Sequence, residues 1–307
     1  MSTVVVFQQM LVIFILIGIG VLVYKKGWCS QSSSKDVSSL ITMVCNPAIM
    51  LASAFDETTT ATRQDILITA GIAAVIFLGL ILLGGILPIL MRVPFEERRF
   101  YNLMTVYGNT GFIGIPVVSA VLGNAAVIYV TVFILFFNLL IYTHGIYVLH
   151  PGGESEKTSG RWKNFINIGT IAAVLTVVIF WFRIPMPRVV ADSLSYTGRC
   201  TTFLSMLVLG ATLSQMKIKE IFTIPKLYIF ILVRQIAVPI LAALVLKQIF
   251  TNEMMVGASV LILAMPAANM PLMMAKQYDM ECEVLSKGIL LTTIMSLVTV
   301  TIVAFFL

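Results

Sequence analysis

Charge is what this sequence has least of. Only 11% of its 307 residues are Asp, Glu, Lys or Arg, against a hydrophobic share of 59% and a mean hydropathy of +1.01. A soluble domain carries roughly twice that charged fraction. No water-soluble fold hides so much apolar surface, so the bilayer has to be the solvent for most of the chain. Histidine is scarcer still, with only His144 and His150, and the four cysteines Cys29, Cys45, Cys200 and Cys282 are scattered. Neither residue type shows metal-ligand spacing or a pairing pattern, so no metal, no cofactor and no disulfide framework is expected. All 14 carboxylates fall in loops or at the ends of apolar segments, the deepest being Asp36, Asp192 and Glu253. An intramembrane enzyme needs paired acids, a nucleophile with its base, or a histidine-rich metal centre at depth. Nothing here fits, so an enzyme is not expected. A carboxylate-based sodium–proton antiporter is disfavoured for the same reason. The net charge of +6 is spread over short loops, which reads as a topology signal and not as a nucleic-acid patch.

Apolar segments are abundant. A span needs about 20 mostly apolar residues, and ten stretches qualify, near 4–24, 36–55, 66–91, 100–122, 125–149, 164–182, 192–214, 224–247, 254–275 and 284–306. The first has no basic residue before it and no A-x-A-like site after it, so it is expected to be a spanning helix and not a cleaved signal. Positive charge sets orientation. With the N-terminus outside, the inner loops hold Lys25, Lys26, Lys35, Arg92, Arg98, Arg99, Lys157, Arg161, Lys163, Lys217, Lys219, Lys226, Lys276 and Lys287. The outer loops hold only Arg63, Arg183, Arg188 and Lys247. Both termini are therefore expected outside.

Spans one to five, shifted by about 155 residues, fall on spans six to ten, and Pro116 falls on Pro271. An odd number of spans per unit gives the two units opposite membrane orientation, the inverted-repeat plan of many secondary transporters. The expected organisation is thus a first five-helix repeat over 1–149, a cytosolic linker over 150–163 (HPGGESEKTSGRWK covers it) and a second, inverted repeat over 164–307. The fold class is an all-α polytopic membrane protein of ten transmembrane helices.

Two segments interrupt their own helices. YGNTGFIGIP at 107–116 places Gly108, Asn109, Thr110, Gly111, Gly114 and Pro116 in the fourth span, and AMPAANMPLMM at 264–274 places Pro266, Asn269 and Pro271 in the ninth. Each interior Gly costs a helix about 1 kcal/mol and an interior Pro about 3. The three glycines alone could make a close-packing face, but Asn109, Pro116 and the matching break in the ninth span favour a crossover of two broken helices. Unwound backbone at depth has to be buried or line a cavity. The second half-helices, expected to start near Pro116 and Pro271, would aim positive N-termini at the crossing, and with an asparagine amide on each side they make a site for a small anion. Asn269 could also serve only inter-helix packing. Asn46-Pro47 in the second span is a kink or a wall of the cavity, with the kink preferred. Arg234 is the one charge deep in a span. It attracts the anion, partners a half-helix C-terminus or snorkels, and the helix-end role is preferred. Met265, Met270, Met273 and Met274 could soften a cavity for an apolar ligand body. The aromatic run FILFFN at 133–138 is expected to face lipid or to pack, and the lone His144 suggests neither metal nor catalysis.

NTGFIGIPVVSAVLG at 109–123 resembles the signature of the auxin efflux carrier family, which includes the plant PIN-formed proteins and many bacterial permeases. MPAANMPLMMAKQYDMECEVLSKGILLTT at 265–293 is similar to that family's second crossover, and LVLGATLS at 207–214 to its seventh span. The resemblance implies a scaffold domain from spans 1, 2, 6 and 7 and a transport domain from spans 3–5 and 8–10, moving in an elevator-like way. It implies efflux of small organic anions, auxin-like monocarboxylates or malate-type dicarboxylates, across the cell membrane, and a homodimer set in membrane lipid. It matches Asn109 to the crossover asparagine that contacts the substrate carboxylate. Two features depart from the plant carriers: their long cytosolic loop is absent, and Ala267-Ala268 stands where they have Gln-Gly. A sensor or receptor using the same pocket would belong to another functional class and predicts a signalling appendage. A passive channel would share the midplane site.

Overall fold

The computed structural model describes residues 3–55, 61–149, 168–215, 222–277 and 280–307. The expected linker at 150–163 lies outside them, as do Lys217 and Lys219. Twelve helices run through the described residues: α1 Thr3–Lys25, α2 Gln31–Ser53, α3 Arg63–Leu90, α4 Phe95–Val106, α5 Thr110–Leu122, α6 Asn124–Leu149, α7 Ile168–Phe182, α8 Arg188–Ser214, α9 Pro225–Ile249, α10 Glu253–Ala264, α11 Met270–Gln277 and α12 Glu283–Ala304. No strand occurs among the described residues. Six helices are long and apolar enough to cross a membrane: α1 over Phe7–Lys25, and α2, α3, α6, α9 and α12. The protein is an all-helical, multi-pass membrane protein.

The helix ends follow from local chemistry. At the start of α3 the Thr62 side chain accepts the Asp65 amide while the Asp65 carboxylate accepts the Thr62 amide, a reciprocal cap of two orphan donors. Helices α1, α3 and α7 each end in a left-handed residue, Gly27, Arg92 and Arg183, with the next amide reaching back to the last turn.

Three helices widen by one residue immediately before a proline. The amides of Asn46, Ile115 and Val238 bond five residues back, to Ile41, Thr110 and Val233, and Pro47, Pro116 and Pro239 follow directly. Proline lacks the amide and its ring crowds the carbonyl four residues earlier, and a π turn relieves both. A fourth π turn, Ile141–Gly145 in α6, has a different cause: the Tyr107 hydroxyl donates to the Leu140 carbonyl at 2.8 Å, and a side chain inserted into the ladder opens it.

Helices pack closely where glycine permits it. A Cβ on Gly20 of α1 would lie 2.5 Å from the Leu207 carbonyl oxygen of α8, one on Gly210 of α8 would strike the Ile17 carbonyl oxygen of α1, and one on Gly198 would lie 2.7 Å from Ile49 Cα of α2. Small residues at such contacts are how membrane helices gain van der Waals attraction without a hydrophobic driving force. Polar contacts tie loop to loop at the helix ends. Arg63 Nε, at the start of α3, donates to the Trp181 carbonyl at the end of α7 at 2.7 Å, and Lys226 Nζ, at the start of α9, donates to the Arg92 carbonyl after α3 at 2.6 Å.

Candidate functional site

The site is built where α4 gives way to α5 and α10 to α11. The chain between α4 and α5 is only Tyr107–Asn109, and between α10 and α11 only Met265–Asn269. The two loops pair as an antiparallel bridge centred on Gly108 and Ala267. The Asn109 amide donates to the Pro266 carbonyl at 2.7 Å, and the Ala268 amide donates to the Tyr107 carbonyl at 2.9 Å. The Ala267 amide donates to Thr292 Oγ1 of α12 at 3.2 Å. Unwound backbone is thereby satisfied within the protein, as burial at this depth requires. Gly108 sits in the middle, packed against the end of α10: a Cβ there would be in ordinary van der Waals contact, 3.6 Å from the Ile262 and Met265 carbonyl oxygens.

Helix α5 begins at Thr110 and not near Pro116, six residues earlier than the proline suggested. The cause is Asn109. Its Oδ1 accepts the Phe112 amide at 3.1 Å and caps the helix, and Pro116 comes after the π turn, inside α5. Helix α11 does start beside its proline, at Met270.

The expected site residues divide by position. Asn109, Thr110 and Pro266 are buried at the bridge. Gly111 faces Asn46, whose Nδ2 would lie 3.5 Å from a Cβ placed on Gly111. A Cβ on Gly114 would meet Ile262 Cδ1 at 2.7 Å, so this glycine lets α5 rest against α10. Pro116, beyond the π turn of α5, and Pro271, in the first turn of α11, are buried, whereas Asn269 is exposed just before α11. Of the four methionines, Met265 and Met274 are buried and Met273 is 63% exposed. The aromatic run takes the packing alternative: Phe133 and Phe137 are buried, and Phe137 meets the Tyr107 ring edge-on at 5.4 Å.

Arg234 lies in the π turn of α9 and is 2% exposed. Its Nε donates to the Thr105 carbonyl at 2.6 Å and its Nη1 to the Leu263 carbonyl. Those carbonyls belong to the last turns of α4 and α10. Each helix terminus carries roughly half a unit charge, negative at the C-terminus and positive at the N-terminus. One guanidinium therefore offsets two C-termini, and the N-termini of α5 and α11 remain as the unbalanced field. Asn109 adds to it. Its oxygen is taken by the cap, and its amide nitrogen has no acceptor among the described residues. The arrangement can hold an anion by hydrogen bonds and by field, without a metal. Asn46 Oδ1, on the side chain that meets Gly111, is buried without a partner, as are the hydroxyls of Thr201 and Ser205 on α8, the helix that packs against the start of α5.

Several members of the site left no clear mark in the sequence. Tyr107 contributes its carbonyl to the bridge and its hydroxyl to Leu140 and His144, whose Nδ1 lies 3.0 Å away. Gln235, beside Arg234, donates to the Thr292 carbonyl at 3.1 Å. Tyrosine next to a helix break is a usable signal, but nothing in the sequence links Gln235 to Thr292.

Comparison with known proteins points to a transporter. The profile described as "Membrane transport protein" matches residues 5–304. An uncharacterized transporter of Methanocaldococcus jannaschii is 23% identical over 301 residues, covering 94% of this chain and 95% of that protein. An uncharacterized transporter of Methanothermobacter thermautotrophicus is 21% identical over 305 residues, covering 95% of each. A profile matching nearly the whole chain, two broken helices bridged at their breaks and the signature at 109–123 lead to one assignment: the chain belongs to the membrane transport protein family, that of the auxin efflux carriers, and is a membrane transporter and not an enzyme.

Proposed function

We propose that the protein is a secondary carrier of small organic anions, with the substrate carboxylate held at the crossing of the two broken helices. The observation that carries this reading is the charge balance there: Arg234 occupies both half-helix C-termini, which leaves two N-termini uncompensated beside an Asn109 amide nitrogen that has no acceptor among the described residues. In the proposed topology each of the two broken pairs, α4–α5 and α10–α11, forms one span, giving ten spans in two inverted repeats with both termini outside. The contacts of the loops support the alternation. Arg63 and Trp181 meet at ends assigned outside, and Lys226 and Arg92 meet at ends assigned inside. The close glycine contacts among α1, α2 and α8 fit a scaffold, and the bridge fits a transport unit that carries both broken spans as one body in an elevator-like step.

Moving one negative charge outward gains about 2.3 kcal/mol per 100 mV of inside-negative potential, on the order of 50-fold accumulation. Efflux is the favoured direction for a weak-acid anion. The test is release of labelled indole-3-acetate, malate, malonate, pyruvate and benzoate from proteoliposomes under a potassium diffusion potential of either sign. One acid should leave saturably, faster when the potential drives it out, and Asn109→Asp should abolish the movement. Flux of every acid that stays linear with concentration would replace the carrier by a channel. No flux under either sign would remove the anion site.

A further inference from the structure

In inverted-repeat transporters the C-terminal ends of broken half-helices are places where a coupling cation binds. Here those ends already hold a cation that belongs to the chain. Three observations bear on it. The guanidinium of Arg234 bonds the Thr105 and Leu263 carbonyls, one from each broken pair. It is 2% exposed, so the guanidinium and the carbonyls it bonds are shielded from solvent. No group of acidic, cysteine or histidine side chains that could hold a metal exists among the described residues. Arg234 also sits against the bridge, since its Nη2 would lie 3.7 Å from a Cβ on Gly108.

We infer that the paired C-termini of α4 and α10 form a monovalent-cation site whose permanent occupant is the Arg234 side chain. The carbonyl oxygens of Thr105 and Leu263 are the ligand set. Such oxygens suit a hard monovalent cation as well as a guanidinium, and a chain-borne ion loses no translational freedom on binding, so it excludes a free one. The positive charge at the crossing is then fixed at any salt concentration and any physiological pH, because guanidinium does not release its proton in that range. The site differs from the anion position and does not depend on which anion is carried.

Truncation should vacate this site and expose its ligands to free ions. The experiment uses purified full-length protein in detergent: wild type, Arg234→Ala and Arg234→Lys. Radiolabelled sodium binding is measured by a proximity assay, and Tm is measured in sodium, choline and low-millimolar guanidinium chloride at matched ionic strength. Wild type and Arg234→Lys should bind no sodium saturably and show the same Tm in sodium and choline. Arg234→Ala should gain about one saturably bound sodium per chain, the occupancy of a single vacated site. Its Tm should fall in choline and recover towards wild type with guanidinium. Saturable sodium binding by the wild type or by Arg234→Lys overturns the assignment. So does an Arg234→Ala protein that is monodisperse yet gains neither sodium nor guanidinium stabilisation. Should Arg234→Ala not fold, the wild-type and Arg234→Lys measurements decide alone. None of these readouts uses the anion, so the outcome is separable from that of the transport assay.

Discussion

Asn109 does two jobs with two atoms. Its Oδ1 starts α5 by accepting the Phe112 amide, and its amide nitrogen is left without an acceptor among the described residues. Substitutions can separate them. Serine keeps a capping oxygen and replaces the two amide donors by one hydroxyl on a shorter stem that does not reach as far, so Asn109→Ser should fold with little loss of Tm. A hydrogen bond to a charged group is worth about 1.5–3 kcal/mol, so its half-saturating anion concentration should rise roughly 10- to 100-fold in the proteoliposome assay. Alanine removes both functions, and the lost cap adds a destabilisation of about 1 kcal/mol, visible as a further drop in Tm. Equal Tm for Asn109→Ala and Asn109→Ser would show that the cap does not hold the break. Tyr107 offers a second residue-scale test. Tyr107→Phe removes the hydroxyl that opens α6 at Leu140 and that lies beside His144. Loss of a net hydrogen bond costs about 1 kcal/mol, so thermal unfolding should come a few degrees earlier while the ring still packs on Phe137.

At the scale of the element, the π turns place the polar side chains. Arg234 and Gln235 lie within one, Asn46 follows another, and Thr110, Gly111 and Gly114 occupy a third. Each is followed by proline, so the proline sets the rotation of what precedes it. Pro239→Ala restores an amide donor and removes a helix penalty of about 3 kcal/mol. The variant should match or exceed the wild-type Tm, yet lose transport because Arg234 is turned off the two carbonyl ends. Retained transport would break the link between the turn and the site. The two breaks were legible in the sequence because glycine, asparagine and proline carry large helix penalties, and so were the ends of the long apolar helices. The start of α5 is hard to place from the sequence because proline is itself a helix starter and masks the capping asparagine seven residues upstream. The exposure of Asn269 was not legible either, since depth within a short break depends on how its partner loop lies. The bridge between Tyr107–Asn109 and Pro266–Ala268 was beyond sequence reading because it is made by main-chain groups, which every residue type supplies.

For the whole molecule, the loop contacts make a topological prediction. Single cysteines at Arg63 and Lys247 should react with an impermeant maleimide from outside, and cysteines at Arg92 and Lys226 only after permeabilisation, in a background lacking the native cysteines. The positive-charge bias assigns those faces, and Lys226 already reaches Arg92 on one of them. Labelling of Arg63 and Arg92 positions from the same side would discard the inverted-repeat arrangement. The central bridge also bears on how such a carrier diversifies. Its bonds depend on no particular side chain, so residues 267 and 268 are free to drift between lineages within the available volume while the crossing stays joined. Proline is barred at 109 and 268, where it removes an amide that donates across the bridge, and at 267, where it removes the donor to Thr292 Oγ1. New ligand preferences can therefore arise by single exchanges at the heart of the machine, with its joint left intact.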